Sequence, residues 1–298
     1  MVDGASVIAA IGNFDGVHLG HQYLLGEAAR FAVAQDARLG VVLFEPHPRR
    51  YFRPDDAAFL LTSSAQRDAL LRVYGATEIF TLTFDKALAS LTPEEFIRLV
   101  LKQKLGLGGI VAGADFRFGA GRAGDSQALL TIGDEAGLKV KIVDLLPQPA
   151  DGAKFGSSAV RAAVRDGDMA RARVLLGRPW AVRGVVAQGE QRGRTLGFPT
   201  ANMTLGEIIE PRRGVYATRA RVGGVAHDAV SNFGRRPTVG SEAPLLETHI
   251  LDFDGDLYGR EIEVDFIDFI RDEVKFDGLD ALKAQIAKDS VKARALLA

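Results

Sequence analysis

"SVIAAIGNFDGVHLGHQYLL", residues 6–25, is the stretch that decides the fold. The run from Ser6 to Ile11 is small, apolar and β-branched, which reads as a buried strand, and it breaks at Gly12. From His21 apolar residues recur at three- and four-residue spacing through "HQYLLGEAARFAVAQ" (21–35), the pattern of one helix face. Between them lies a loop with Gly12, Asp15 and Gly16, and two of the chain's five histidines, His18 and His21, stand three apart where the strand hands over to the helix.

The same alternation continues outward. "LGVVLF" (39–44), "EIFTLTF" (78–84), "GGIVAG" (108–113) and "LKVKIVDLL" (138–146) read as strands. Between them "SSAQRDALLRVY" (63–74), "TPEEFIRLVLKQKLG" (92–106) and "QALLTIGDEAG" (127–137) read as helices. The middle helix carries a Thr cap, Pro at its first position, early acids and a closing Gly. Strands separated by helices of this length predict a doubly wound parallel sheet of the α/β class. In such sheets ligands bind beyond the carboxyl ends of the strands, where the Gly12–His18 loop would lie.

After one further helix, "SSAVRAAVRDGDMARARVLLG" (157–177), the texture changes at Arg178–Pro179. Short, partly alternating segments follow: "WAVRGVVAQG", "GVYATRARVGG", "VAHDAVSNFG", "LLETHILDF" and "EIEVDFIDFI". Gly, Pro and Asp divide them and no helix separates them, which predicts an antiparallel all-β barrel or sandwich. "GLDALKAQIAKDSVKARALL" (278–297) would close it as a helix. The expected organisation is a domain over 1–177 and a second over 178–298.

Composition narrows the chemistry. Net charge is −1 and neither half carries a basic excess, so a nucleic-acid surface is not expected. With no cysteine there can be no disulfide, thiol nucleophile or Cys-ligated metal, which fits a cytoplasmic enzyme. The N-terminus lacks a basic n-region, and no apolar run reaches membrane-span length, so a membrane partner is not expected either. Oligomeric state stays open, a homo-oligomer included.

Three readings of the opening loop compete. Glycines that allow close backbone approach, a helix N-terminus and two histidines suit a phosphate. A zinc pair would want i, i+4 spacing and a third ligand nearby. A plain packed turn is the third. "FEPHPRRYF" (44–52), "AGADFRFGAGRAGD" (112–125) and "FGSSAVR" (155–161) follow other strands and would converge on the same sheet edge. They bring His47, Asp115, Arg117, Arg122, Ser157, Ser158 and Arg161, a set suited to a nucleoside triphosphate, and no GxxxxGK[ST] loop is present. In the second half, Thr200 and Asn202 of "GEQRGRTLGFPTANM" (189–203) would share one strand face, where two oxygens could reach a hard cation such as Mg²⁺. A polar strand face after a basic hairpin loop is the equal alternative. Glu247 and His249 of "LLETHILDF" would sit on a face with apolar Leu245, Leu251 and Phe253. There Glu247 is either a buried ion-pair member or a general base.

Taken in order, "GNFDGVHLGH", "FEPHP", "DFRFG", "GSSAVR", "LLGRPW", "GRTLGFPTAN", "GVYA", "RPTVG", "LETHILDFDGDLYG" and "RDEVKFDGLDALKAQIAKD" resemble the bacterial bifunctional riboflavin kinase/FAD synthetases over nearly the whole chain. The resemblance implies an N-terminal nucleotidyltransferase domain and a C-terminal flavokinase barrel. The barrel would phosphorylate riboflavin with MgATP to FMN, and the first domain would join FMN to a second ATP, giving FAD and pyrophosphate. It implies that His18 and His21 act on the triphosphate, with Gly12, Asn13, Phe14, Asp15 and Gly16 around it and Ser157, Ser158 and Arg161 holding phosphates. In the barrel it implies Gly193, Arg194, Gly197 and Thr200 at the nucleotide, Thr200 and Asn202 at Mg²⁺, and Glu247 as base. Asp115, Arg236, Thr238 and Arg271 are the candidate flavin-binding residues. One position departs: Gly156 stands where the family has Ser in a Ser-Ser-Thr run, which would weaken the phosphate grip.

Overall fold

The structure is a computed structural model that describes residues 6–144, 146, 155–187, 198–234 and 244–298. Contacts group the chain into two units, Met1–Asp56 with Ser64–Phe155, and Ala57–Ser63 with Gly156–Ala298.

In the first unit β1 (Val7–Ile11) is buried at every position, as a strand covered on both faces must be. It is followed by α1 (Leu19–Ala34), β2 (Arg38–Glu45), α2 (Pro48–Phe52), α3 (Ser64–Val73), β3 (Glu78–Thr83), α4 (Lys86–Ala89) and α5 (Pro93–Glu95). The chain then continues through a π-helical stretch, Phe96–Lys104, into β4 (Gly109–Gly113), α6 (Ser126–Glu135) and β5 (Lys139–Val143). All strand pairs are parallel, in the order β3-β2-β1-β4-β5. The expected doubly wound sheet is therefore present. β1 is its centre, and the chain turns to β2 on one side and later to β4 on the other, so the loop after β1 lies at the topological switch point. Two cores cover the sheet. One holds Ile8, Ala10, Phe14, Val17, Leu25 and Val41, the other Ala9, Ile11, Phe96, Ile97, Leu101 and Ile110.

The second unit begins with two helices, α7 (Ser157–Asp166) and α8 (Met169–Leu176), where the sequence reads as one. Gly167 is left-handed (φ 76°) and ends α7, and the Asp168 side chain accepts from Arg171 N–H at 2.8 Å and starts α8. α7 packs on α8, and α8 packs on the barrel strands, so these helices group with the barrel although their texture is that of the first half. The strands are β6 (Trp180–Val185), β7 (Ala201–Thr204), β8 (Gly214–Val222), β9 (Val225–Gly234), β10 (Leu245–Ile250) and β11 (Glu261–Arg271), all antiparallel in the order β6-β11-β8-β9-β10-β7. A bridge from Ala187 N–H to Asn202 C=O (2.9 Å) all but closes the ring. Trp180, Tyr216, Phe233 and Phe266 fill the interior, each 2% exposed or less, with Phe266 edge-on to Tyr216 at 5.0 Å. Outside, Val215, Ala217, Val230 and Ile270 pack with Ala293 and Leu297 of α9 (Leu279–Leu297), the expected closing helix.

Candidate functional sites

At the end of β1 the backbone turns sharply. Phe14, Gly16 and Val17 all take positive φ (51°, 81° and 41°), and for a β-branched residue such as Val17 that is strained. The loop is pinned by burying the Phe14 and Val17 side chains completely in the sheet's core. The Phe14 side chain is thus a core group, and only its backbone can face a ligand. His18 is the N-cap of α1, and its Nδ1 accepts the His21 N–H at 3.3 Å. A ring that accepts at Nδ1 carries its proton on Nε2 when neutral, so His18 presents an Nε2–H donor. The His21 ring stacks on it, centroids 3.6 Å apart and 20° from parallel, and leans on Phe14 at 5.1 Å. A Cβ on Gly20 would stand 3.1 Å from His18 Cε1 and 3.2 Å from Nδ1, so glycine here makes room for the ring. Asp15 is 4% exposed.

Neighbouring loops of this unit divide into structural and open parts. His47 caps α2 through Nδ1, 3.1 Å from Arg49 N–H, and Arg49 pairs with Asp56 at 2.8 Å. Glu45 meets Arg67 at 2.6 Å. Burial would raise its carboxyl, but hydrogen bonds from Ser64 and Arg67 outweigh it and hold the group below the usual carboxylate range. Arg117 pairs with Asp125 at 3.2 Å, while Asp115 is exposed beyond β4.

In the second unit Ser157 and Ser158 are the first residues of α7, whose cap position, Gly156, offers no side chain. Arg161, one turn on, donates from Nε to the Phe59 carbonyl at 2.7 Å. On the barrel, Thr200 Oγ1 lies 3.5 Å from Asn202 Oδ1, which puts both oxygens on one side as the spacing predicts. Asn202 stands directly across from Glu247, and Glu247 directly across from Asn232. Cross-strand partners share a face, so the three form one row over β7, β10 and β9. Asn232 is absent from the candidates above; its place follows from strand register, which "SNFG" does not signal. His249, two residues from Glu247, donates from Nδ1 to the Pro199 carbonyl at 2.9 Å and holds the approach to Thr200. The buried face of β10 is Leu246, Thr248 and Ile250, and Glu247 is on the half-exposed one. The strand ends at Ile250, so Leu251 and Phe253 do not continue that face as the alternation suggests.

Arg271 has its donors on Asp289 (Nη2 at 2.7 Å, Nε at 3.0 and 3.1 Å) and on the Asp272 carbonyl, tying β11 to α9. Gly193, Arg194, Gly197, Arg236 and Thr238 lie outside the described residues.

A family model described as riboflavin kinase matches residues 176–297, and one described as FAD synthetase matches 3–159. The bifunctional riboflavin kinase/FMN adenylyltransferase of Escherichia coli K12 is 40% identical over 96% of this chain and 91% of its own. That of Bacillus subtilis is 35% identical over 97% and 92%. The chain belongs to the bifunctional riboflavin kinase/FMN adenylyltransferase family. It is an enzyme of flavin cofactor synthesis with a riboflavin kinase and an FAD synthetase domain, and its substrates are ATP and flavins. A crystal structure described as a macrolide-efflux protein from Streptococcus pneumoniae also matches, at TM-score 0.86 and 32% identity, over 97% of this chain and 94% of that one. Among the described residues here, no helix is long and apolar enough to cross a membrane.

Proposed function

We propose that each activity of the family is carried by one of the two constellations described above, with the residue roles as follows. In the kinase, Glu247 accepts the proton of the riboflavin 5′-hydroxyl as its oxygen attacks the γ-phosphorus of ATP, and ADP leaves. The direct opposition of Asn202 and Glu247 on adjacent strands carries this reading, because it sets a base beside a pair of neutral oxygen ligands. Thr200 and Asn202 fit Mg²⁺, which keeps few protein ligands and takes the rest from phosphate and water. When bound, the ion neutralises charge on the phosphates. Gly193, Arg194 and Gly197 are assigned to the nucleotide on sequence alone.

In the adenylyltransferase, an FMN phosphate oxygen attacks the α-phosphorus of ATP and pyrophosphate departs. The Nε2–H of His18 and the stacked His21 stabilise charge on the triphosphate, and Ser157, Ser158 and Arg161 hold phosphate at the start of α7. No covalent enzyme intermediate is needed, so positioning and charge neutralisation supply the rate. A cytoplasmic setting belongs to the same reading and rests on the cysteine-free sequence. The test is chromatography of flavins formed from riboflavin or FMN with MgATP. His21→Ala is expected to abolish FAD and spare FMN formation, and Asn202→Ala to do the reverse. Loss of both activities in either variant would refute two separate sites.

A further inference from the structure

Arg161 is presented to its surroundings by a segment a hundred residues earlier in the chain. Residues Ala57–Ser63 belong to the same unit as the barrel. Leu60 N–H donates to Glu207 C=O at 3.1 Å, and Leu60 C=O accepts Ile209 N–H at 2.8 Å, so the segment adds a parallel bridge to the stretch after β7. The Trp180 indole N–H donates to Leu61 C=O at 3.0 Å inside the unit. Phe59 and Leu61 are 1% and 0% exposed. On this fixed strap Phe59 meets Arg161 twice. Its carbonyl takes the Nε–H at 2.7 Å, and its ring stands 5.5 Å from the guanidinium carbon.

A guanidinium is planar, and its side chain is among the richest in rotamers. Engaging Nε at a fixed carbonyl and setting a ring beside the guanidinium carbon restricts the directions the terminal nitrogens can take. Those nitrogens are the fork that grips a phosphate in two parallel hydrogen bonds. We propose that Phe59 is a positioning residue of FAD synthesis, which holds the Arg161 fork in the orientation that receives the triphosphate of ATP. The inference rests on the phosphate role given to Arg161 above. It makes residues 57–63, which group with the barrel unit, part of the adenylylation machinery.

The two activities give each other an internal control. Steady-state FAD formation from FMN and FMN formation from riboflavin are measured on the full chain for Phe59→Leu, Arg161→Ala and Arg161→Lys. The emission of Trp180, the only tryptophan, reports whether the strap is seated. Phe59→Leu is expected to raise the KM for ATP in FAD formation about tenfold, as a misaimed group does, and to leave FMN formation and Trp180 emission unchanged. Arg161→Lys keeps the charge but loses the fork, and is expected to match Arg161→Ala. If Arg161→Ala leaves the KM for ATP unchanged, the phosphate role of Arg161 falls. If Arg161→Ala raises it while Phe59→Leu does not, that role stands and the inference is overturned. Equal loss of both activities in Phe59→Leu and in the space-filling Phe59→Met makes Phe59 a packing residue only, which also overturns it.

Discussion

Gly20, the second residue of α1, leaves room for the His18 ring. A methyl there presses on the His18 ring, which caps α1 through Nδ1. Gly20→Ala is therefore expected to lower FAD formation at least about tenfold while FMN formation holds, read by the same flavin chromatography. At this scale the sequence is informative where chemistry is local. Two histidines three apart at a helix start are visible in "HLGH", and so is their suitability for phosphate. That the first is a cap and the second stacks on it depends on a loop with three left-handed residues, two of them not glycine, and no pattern of residue types encodes that. Asn232 and Phe59 were illegible for a different reason. Each acts on a residue brought close by register or by long-range packing, and Phe59 is 102 positions from Arg161.

Among the elements, the junction of α7 and α8 gives the sharpest test. Its apolar spacing runs on almost unbroken, so the sequence reads as one helix, yet a left-handed Gly167 and the Asp168 cap divide it. Asp168→Ala is expected to cost about 1 kcal/mol in urea denaturation, the usual worth of a cap. Gly156 heads α7 with an extended backbone (φ −179°), and no atom lies within 4 Å of the place a Cβ would take, so a side chain fits there without strain. Gly156→Ser is expected to add a few tenths of a kcal/mol and to lower the KM for ATP in FAD formation. The Thr92 cap and Pro93 start were legible and form a full capping box with Glu95. The π-helical turn that follows was not, because it is a change of hydrogen-bond register within one run of helix formers. At the end of β2, Glu45 titrates below its ordinary value of 4.5 because Ser64 and Arg67 favour the charged form over the burial that opposes it. A lowered carboxylate contributes stability above its unfolded value and loses it as pH falls through the folded one. The Glu45 contribution to stability is thus expected to fade below about pH 4.5, and an Arg67→Met protein should show a shallower loss across that window.

For the whole molecule, the two units have separate cores, and the two proposed reactions have separate residue sets. Alternation of strand and helix in one half, and its absence in the other, made both fold classes legible from the sequence. The grouping of residues 57–63 with the barrel was not legible, since nothing in "AAFLLTS" says which core will take its Phe and Leu. Arg271 and Asp289, the latter 4% exposed, tie α9 to β11 beside the apolar contacts that cover the barrel. Asp289→Ala leaves the guanidinium without its carboxylate and is expected to cost about 3 kcal/mol, seen as a lower midpoint in urea. On this reading the two activities have independent residues. Its most direct test is the Asn202→Ala protein given MgATP with riboflavin in one reaction and FMN in the other, with the flavins separated by chromatography. Asn202→Ala is expected to make no FMN from riboflavin and to make FAD from FMN at the unmodified rate. Failure to make FAD from supplied FMN would contradict it.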